Sequence, residues 1–275
     1  MKILADYHVH SDFSTDSDTP MEATIERAIE LGLTRLCFTD HMDYDFPKGY
    51  FEEEKPFEFD VEQYIRKIED MNRKYGSDIK ILTGIELGIK TNIVKQLNGL
   101  LGQYSFDFVI ASSHLLDNYD PYFPDYWETI QNDSAQGIRN YFKSICENIE
   151  AFQNFDVYGH LDYIVRYVPD KNFIYNPDEF QEEIDEVLKT IIKYNKGIEV
   201  NTAGLKYGLP FAHPHSKLLK RYLELGGTTI TIGSDAHKPE HLAYDFDKVA
   251  DILKESGITS YNIFENRKIV ETVKL

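Results

Sequence analysis

The chain has 275 residues, 42% of them hydrophobic and 28% charged, which suits a folded globular protein and excludes a disordered one. Its 47 acidic residues against 29 Lys and Arg give a formal net charge of −18, which repels a phosphate backbone and argues against long nucleic acid as a partner. No run approaches the roughly 18 apolar residues of a membrane span. The first residues lack the apolar stretch of a signal peptide, and the two cysteines, Cys37 and Cys146, are too few for a disulfide scaffold. The expectation is a soluble, cytoplasmic protein.

In chain order, residues 3–10 read as a strand and 21–31 as a helix, with Thr19 as its N-cap, Pro20 at its first position and Gly32 as a left-handed C-cap. The strand at 35–41 precedes a helix at 61–75, where Tyr64, Ile65, Ile68 and Met71 fall at helical spacing. The pattern then repeats: strands at 80–89, 106–115, 157–164, 197–204 and 228–237 alternate with helices at 92–101, 134–152, 177–195, 214–225 and 246–256. Residues 261–275 suggest an additional strand or hairpin. Two loops, 42–60 with its Glu52-Glu53-Glu54 run and 117–133, are long enough to act as lids. Seven βα units imply a parallel sheet, either open or closed into a barrel. No Gly-x-Gly-x-x-Gly or Walker motif follows the first strand, so nothing points to a nucleotide-binding open sheet. With no linker or break in composition, residues 1–275 read as one domain.

The chemistry-bearing residues gather at the strand ends. Among nine histidines, His8, His10, His41, His114, His160 and His237 fall at or near the C-terminal ends of predicted strands. Glu86 occupies the matching place on the third, Asp235 lies two residues before His237, and Glu199 and Asn201 end the sixth. In a parallel barrel those ends share one mouth. Imidazoles and carboxylates crowded there would leave polar groups unpaired unless divalent metals bridge them. His213, His215 and His241 read instead as surface or helix-start residues, and Cys37 as core.

These residues fall in motifs, His8-x-His10, Phe38-Thr39-Asp40-His41, Gly84-Ile85-Glu86, Ala111-Ser112-Ser113-His114, Gly159-His160-Leu161-Asp162 and Gly233-Ser234-Asp235-Ala236-His237. In this order, over nearly the whole chain, they resemble the polymerase-and-histidinol-phosphatase (PHP) superfamily. The run from Gly159 to Tyr167 and Glu199-Val200-Asn201-Thr202 are similar to its monofunctional histidinol-phosphatases. The resemblance implies an α/β fold, a distorted (β/α)7 TIM-like barrel, with three metals at the C-terminal mouth of the strands. It implies a first metal on His8, His10, Glu86 and Asp235, and a second on Glu86, His114 and His160. The third would take Asp16, His41 and His237, Asp16 standing where several relatives have His, with Asp18 close by. Such ligands suit Zn, Fe or Mn without choosing among them.

The activity so implied is hydrolysis of L-histidinol phosphate by attack of a metal-bridging hydroxide, with Glu86, Asp235, His237 and Arg166 as catalytic residues. Arg166 suits two phosphate oxygens at once, and Lys206 and Ser113 are further phosphate contacts. Relatives often carry Arg directly after Asn-Thr, where this chain has Ala203. Asp162 and Asn201 are candidates for orienting ligands. Asp43, Asp45 and Asp117 follow barrel strands and are candidates to face the substrate amine. Alternatives are a PHP phosphoesterase for nucleotides or phosphotyrosine and, more distantly, a polymerase-associated module. Oligomeric state is left open.

Overall fold

Strand order follows the sequence around a nearly closed barrel. The computed structural model describes residues 3–50 and 56–275, so the Glu52-Glu53-Glu54 run lies outside the described residues. The strands are β1 (Ala5–Val9), β2 (Arg35–Phe38), β3 (His41–Met42), β4 (Lys80–Gly88), β5 (Phe108–Ser112), β6 (Val157–Tyr158), β7 (Gly197–Asn201) and β8 (Ile230–Gly233). All pair in parallel in the order β1-β2-β4-β5-β6-β7-β8, and the short β3 continues along β4 beyond β2. The seam between the last strand and the first closes just beyond β8, where the Asp235 amide donates to the His8 carbonyl (2.8 Å) and the His10 amide to the Ala236 carbonyl (2.9 Å). Buried Asp6 secures the same seam by accepting from the amide and hydroxyl of Ser234 and from the Ala243 amide.

The strands are shorter than the apolar runs suggest because their C-terminal residues leave the ladder to build the mouth. The 157–164 run keeps only two ladder residues. Gly159 passes so close to β5 that a Cβ there would lie 2.6 Å from Ser112 Oγ, His160 turns to a positive φ of 23°, and residues 163–167 wind into a 3₁₀ turn. The 35–41 run breaks at Thr39-Asp40, which separates β2 from β3.

Around the barrel lie α1 (Met21–Leu31), α2 (Val61–Tyr75), α3 (Val94–Gln103), α4 (Pro124–Thr129), α5 (Ser134–Ala151), α6 (Gln181–Lys193), α7 (Ala203–Lys206), α8 (Ser216–Glu224) and α9 (Phe246–Glu255). Their apolar stripes face the strands; α2 buries Tyr64, Ile68, Met71 and Tyr75 while its charged residues stay outside. Gly32 ends α1 at φ 70° as expected, but Thr19 does not cap it. The Thr19 hydroxyl instead donates to the His237 carbonyl (2.7 Å), tying the first βα loop to the last. Part of the long 117–133 loop is helical: α4 lies within it, with Trp127 buried and donating to the Pro121 carbonyl.

The chain's last segment forms an antiparallel hairpin, β9 (Ser260–Glu265) with β10 (Lys268–Lys274), across the end of the barrel opposite the mouth. It binds the starts of the strands: Glu265 pairs with Lys80 and Arg35, and Arg267 with Asp156. From inside, the Tyr7 hydroxyl donates to the Phe264 carbonyl (2.7 Å) and accepts from its amide (3.0 Å). Tyr7→Phe leaves both buried backbone groups unpaired and should lower unfolding stability by about 1–3 kcal/mol in a urea titration.

Candidate metal centre

Glu86 is fully buried near the end of β4 and sits at the centre of the mouth. Five imidazoles surround its carboxylate. Oε2 faces His8 Nε2 at 3.2 Å, His10 Nε2 at 3.6 Å and His41 Nδ1 at 2.9 Å. Oε1 faces His114 Nε2 at 3.3 Å and His160 Nε2 at 3.0 Å, and accepts from the Ser112 hydroxyl at 2.7 Å. The rest of the cluster adjoins this pair of oxygens. Asp235 Oδ1 is 3.4 Å from His10 Nε2, and Asp16 Oδ2 is 3.2 Å from His237 Nε2 and 3.7 Å from His41 Nε2.

Several rings are fixed from behind. His8 Nδ1 lies 2.7 Å from Glu199, whose other oxygen accepts from the His160 amide. His114 Nδ1 lies 2.7 Å from Asp43. His10 Nδ1 meets Ser14 Oγ at 3.0 Å, and Ser14 donates to Asp40. These contacts occupy the outer nitrogens and aim the inner ones at carboxylates. Gly233 is required for one of them: a Cβ there would lie 2.3 Å from both the Glu199 carboxylate and His8 Cβ.

The inner nitrogens require positive charge. His8 Nε2, His10 Nε2, His41 Nδ1 and Glu86 Oε2 are all buried without a hydrogen-bond partner. A ring nitrogen facing a carboxylate at about 3 Å must have a proton or a metal ion between them. Protons cannot serve everywhere, because His10 stacks between His41 at 4.2 Å and His237 at 4.1 Å. Burial, and then the neighbouring His237 and His41, hold His10 well below the ordinary imidazole range. Ser14, which donates to Asp40, accepts from Nδ1–H, and that tautomer leaves the lone pair on Nε2. Burial would raise Glu86, but His8, His114 and His41 draw it well below the usual carboxylate range. Three groups bring their donor atoms within 4.8 Å of one another: His8, His10 and Asp235; His10, His41 and His237; and His41, Glu86 and His114. They share members, so the arrangement fits a multi-metal site rather than separate single ones.

The chain belongs to the PHP domain family. The family model matches residues 6–203. The chain is 30% identical to the histidinol-phosphatase of Lactococcus lactis subsp. lactis (strain IL1403), over 98% of this chain and 97% of that one. It is 34% identical to a probable histidinol-phosphatase of Clostridium acetobutylicum, over 96% and 98% respectively. Among solved structures, the L. lactis histidinol phosphate phosphatase complexed with Zn, L-histidinol and phosphate superposes with a TM-score of 0.87 at 29% identity, covering 97% of this chain and 98% of that one.

Several expected positions differ within this PHP site. Ser113 points away from the mouth, buried and bonded to Tyr158 (2.6 Å) and Asn148 (3.0 Å). Strand alternation puts Ser112 on the His114 side instead, so period-2 parity identifies the right serine. Asp43 is 4% exposed and bonded to His114, so it orients that ring rather than facing an amine. Lys206 donates to the Asp235 carbonyl (2.7 Å), which helps hold Asp235 at a positive φ of 52°. Arg166 has no carboxylate partner among the described residues and lies over three tyrosine rings, 3.9 Å from that of Tyr207.

His213 departs furthest from expectation. It is fully buried, with Nδ1 2.5 Å from Asp162, whose other oxygen accepts from the His215 amide. The loop after β7 folds back so that the His213 backbone bridges Asn201, and that carries the ring inside. His215 does start α8, accepting from the Lys217 amide. His213→Ala leaves the Asp162 carboxylate buried without its partner and should cost about 1–3 kcal/mol by chemical denaturation, whereas His241→Ala should leave stability within about 0.5 kcal/mol of the parent. Glu86→Gln removes the central charge. It should lose at least one bound metal by elemental analysis and most turnover, while circular dichroism remains that of the folded chain.

Proposed function

We propose that this PHP protein hydrolyses L-histidinol phosphate to L-histidinol and phosphate, a step of histidine biosynthesis. One observation carries the reading: five imidazoles converge on buried Glu86, three of them (His8, His10 and His41) with inner nitrogens that lack a hydrogen-bond partner, beside Arg166, which has no acidic partner among the described residues. The L. lactis protein, complexed with Zn, L-histidinol and phosphate, supports the choice of substrate. Three divalent ions are assigned as the resemblance implies: His8, His10, Glu86 and Asp235 for one, Glu86, His114 and His160 for the next, and Asp16, His41 and His237 for the third. Zn, Fe and Mn all suit these mixed ligands. Ions bound there supply the acidity that brings a water's pKa toward ~7 and the charge that steadies phosphoryl oxygens.

The chain's own groups do the rest. Arg166 offers its planar donors to two phosphate oxygens, and the tyrosine rings beneath it hold the guanidinium in place. Lys206 adds positive charge from its position on Asp235, though burial pushes its ammonium below the ordinary range. Glu199 and Asp43 keep His8 and His114 in the ring orientation that binding requires. The whole chain, 1–275, is read as one catalytic domain, supported by a core that runs from Ile3 to Phe264. A cytoplasmic location is part of this reading, supported by two free, buried cysteines and by the absence, among the described residues, of a helix long and apolar enough to cross a membrane.

Steady-state kinetics on histidinol phosphate beside a nucleotide and phosphotyrosine tests the substrate; a tenfold preference for either competitor refutes it. Chelation should abolish turnover and added divalent metal should restore it. Arg166→Met should cost roughly 1.5–3 kcal/mol of transition-state stabilisation on every phosphate ester, read from kcat/KM.

A further inference from the structure

A substrate that joins a phosphate to an ammonium and an imidazole needs an anion at some distance from the metals. The three acids that follow the barrel strands do not supply it. Asp43 is bonded to His114, Asp45 is exposed and engaged by Lys90 and Asn92, and Asp117 is exposed.

Asp120, three residues beyond Asp117, is placed differently. Its backbone is pinned: the amide donates to the Tyr50 hydroxyl (3.3 Å), which in turn donates to Asp125 (2.7 Å). One carboxylate oxygen accepts from the Tyr122 amide (2.9 Å), and the other has no hydrogen-bond partner among the described residues. No lysine or arginine among them pairs with Asp120. The groups that act on its charge are His114 at the metal centre and the acids Asp43 and Asp125. Burial pushes this carboxyl up to about 6, as expected of an enclosed acid without a cationic partner, and it still ionises at neutral pH.

An aromatic wall joins this acid to the metals. Tyr163 lies 4.8 Å from His160 and 4.9 Å from Tyr167, and Tyr167 meets Tyr122 of the Asp120 loop edge-on at 5.6 Å. Arg166 lies over Tyr163 and Tyr167. The wall therefore has the Arg166 cation over its rings and an unpaired anion in the loop that meets it through Tyr122. We propose that Asp120 binds the ammonium end of the substrate, with Tyr122, Tyr167 and Tyr163 lining the way from it to the metal centre. This assignment rests on the histidinol-phosphate reading above. It makes Asp120 the residue that separates an aminoalkyl phosphate from a neutral phosphate ester.

The test uses metal-loaded protein and two readouts. Calorimetric titration with L-histidinol should show Kd raised tenfold or more in Asp120→Asn, while Kd for inorganic phosphate stays within twofold. The asparagine oxygen can still accept from the Tyr122 amide, and Asp120→Ser provides the same comparison if the first variant does not fold. In kinetics, kcat/KM for histidinol phosphate should fall at least tenfold, chiefly through KM, and that for phenyl phosphate should stay within twofold. Asp120→Glu, which keeps the charge, should lose less than Asp120→Asn. Unchanged histidinol binding, or a parallel loss of phosphate and histidinol, overturns the assignment. Wild-type protein that fails to prefer histidinol phosphate over phenyl phosphate refutes the substrate reading itself, and does so before any variant is compared.

Discussion

A carboxylate with no access to water, placed among imidazoles, is unstable unless positive charge lies between them. Glu86 imposes that condition on this barrel. It recruits five ring nitrogens from β1, β3 and the segments after β1, β5 and β6, so the strand ends must converge within a few ångströms. The ladders shorten to permit it, and two residues of the mouth, His160 and Asp235, accept left-handed backbone conformations that cost roughly 1–3 kcal/mol each. Such strain persists where the surroundings over-determine it, as the Asp235 amide, carbonyl and carboxylate all do here.

Behind the imidazoles stands a second set of acids. Glu199, Asp43 and, through Ser14, Asp40 hold His8, His114 and His10, while Asp6 and Asp162 hold the backbone of the seam and of the loop after β7. Part of the chain's large negative charge is thus invested inside the mouth. Burial and hydrogen bonding divide these acids by role: Asp6 is pushed up to about 6, whereas Asp235, beside His8, is drawn well below the usual carboxylate range despite burial. Protons compete with metals for the same ring nitrogens, so acid must weaken metal retention.

Much of this was legible in the sequence because it depends on strand periodicity. Six histidines, Glu86 and Asp235 at successive strand ends marked the residues of the mouth; the βα alternation implied a parallel sheet, and the resemblance to the PHP superfamily implied its closure into a barrel. What failed depended on contacts between distant segments. Nothing near His213 announces that its partner is Asp162, 51 positions earlier, since the bond exists only after the loop beyond β7 turns inward. Thr19 has the right chemistry for an N-cap, but the His237 carbonyl competes for its hydroxyl and wins. Asp43 looked like a free loop acid because its partner, His114, lies 71 positions later. Ser113 was the opposite case: the parity of β5 already excluded it.

The seam and the closing hairpin also determine when the site can exist during synthesis. Tyr7 reaches Phe264 across 257 positions, and His8 is joined to Asp235 through a backbone bond on the same strand. His8 therefore waits for Asp235, 227 positions later, before the two can stand side by side. Until then His8 and His10 sit on a strand with an open edge and no Asp235 beside it. Non-local closure of this kind is entropically slow, and a nascent barrel leaves these histidines exposed until the last barrel strand arrives. The finished mouth thus needs residues from β1 and from just beyond β8 before its donor groups stand together.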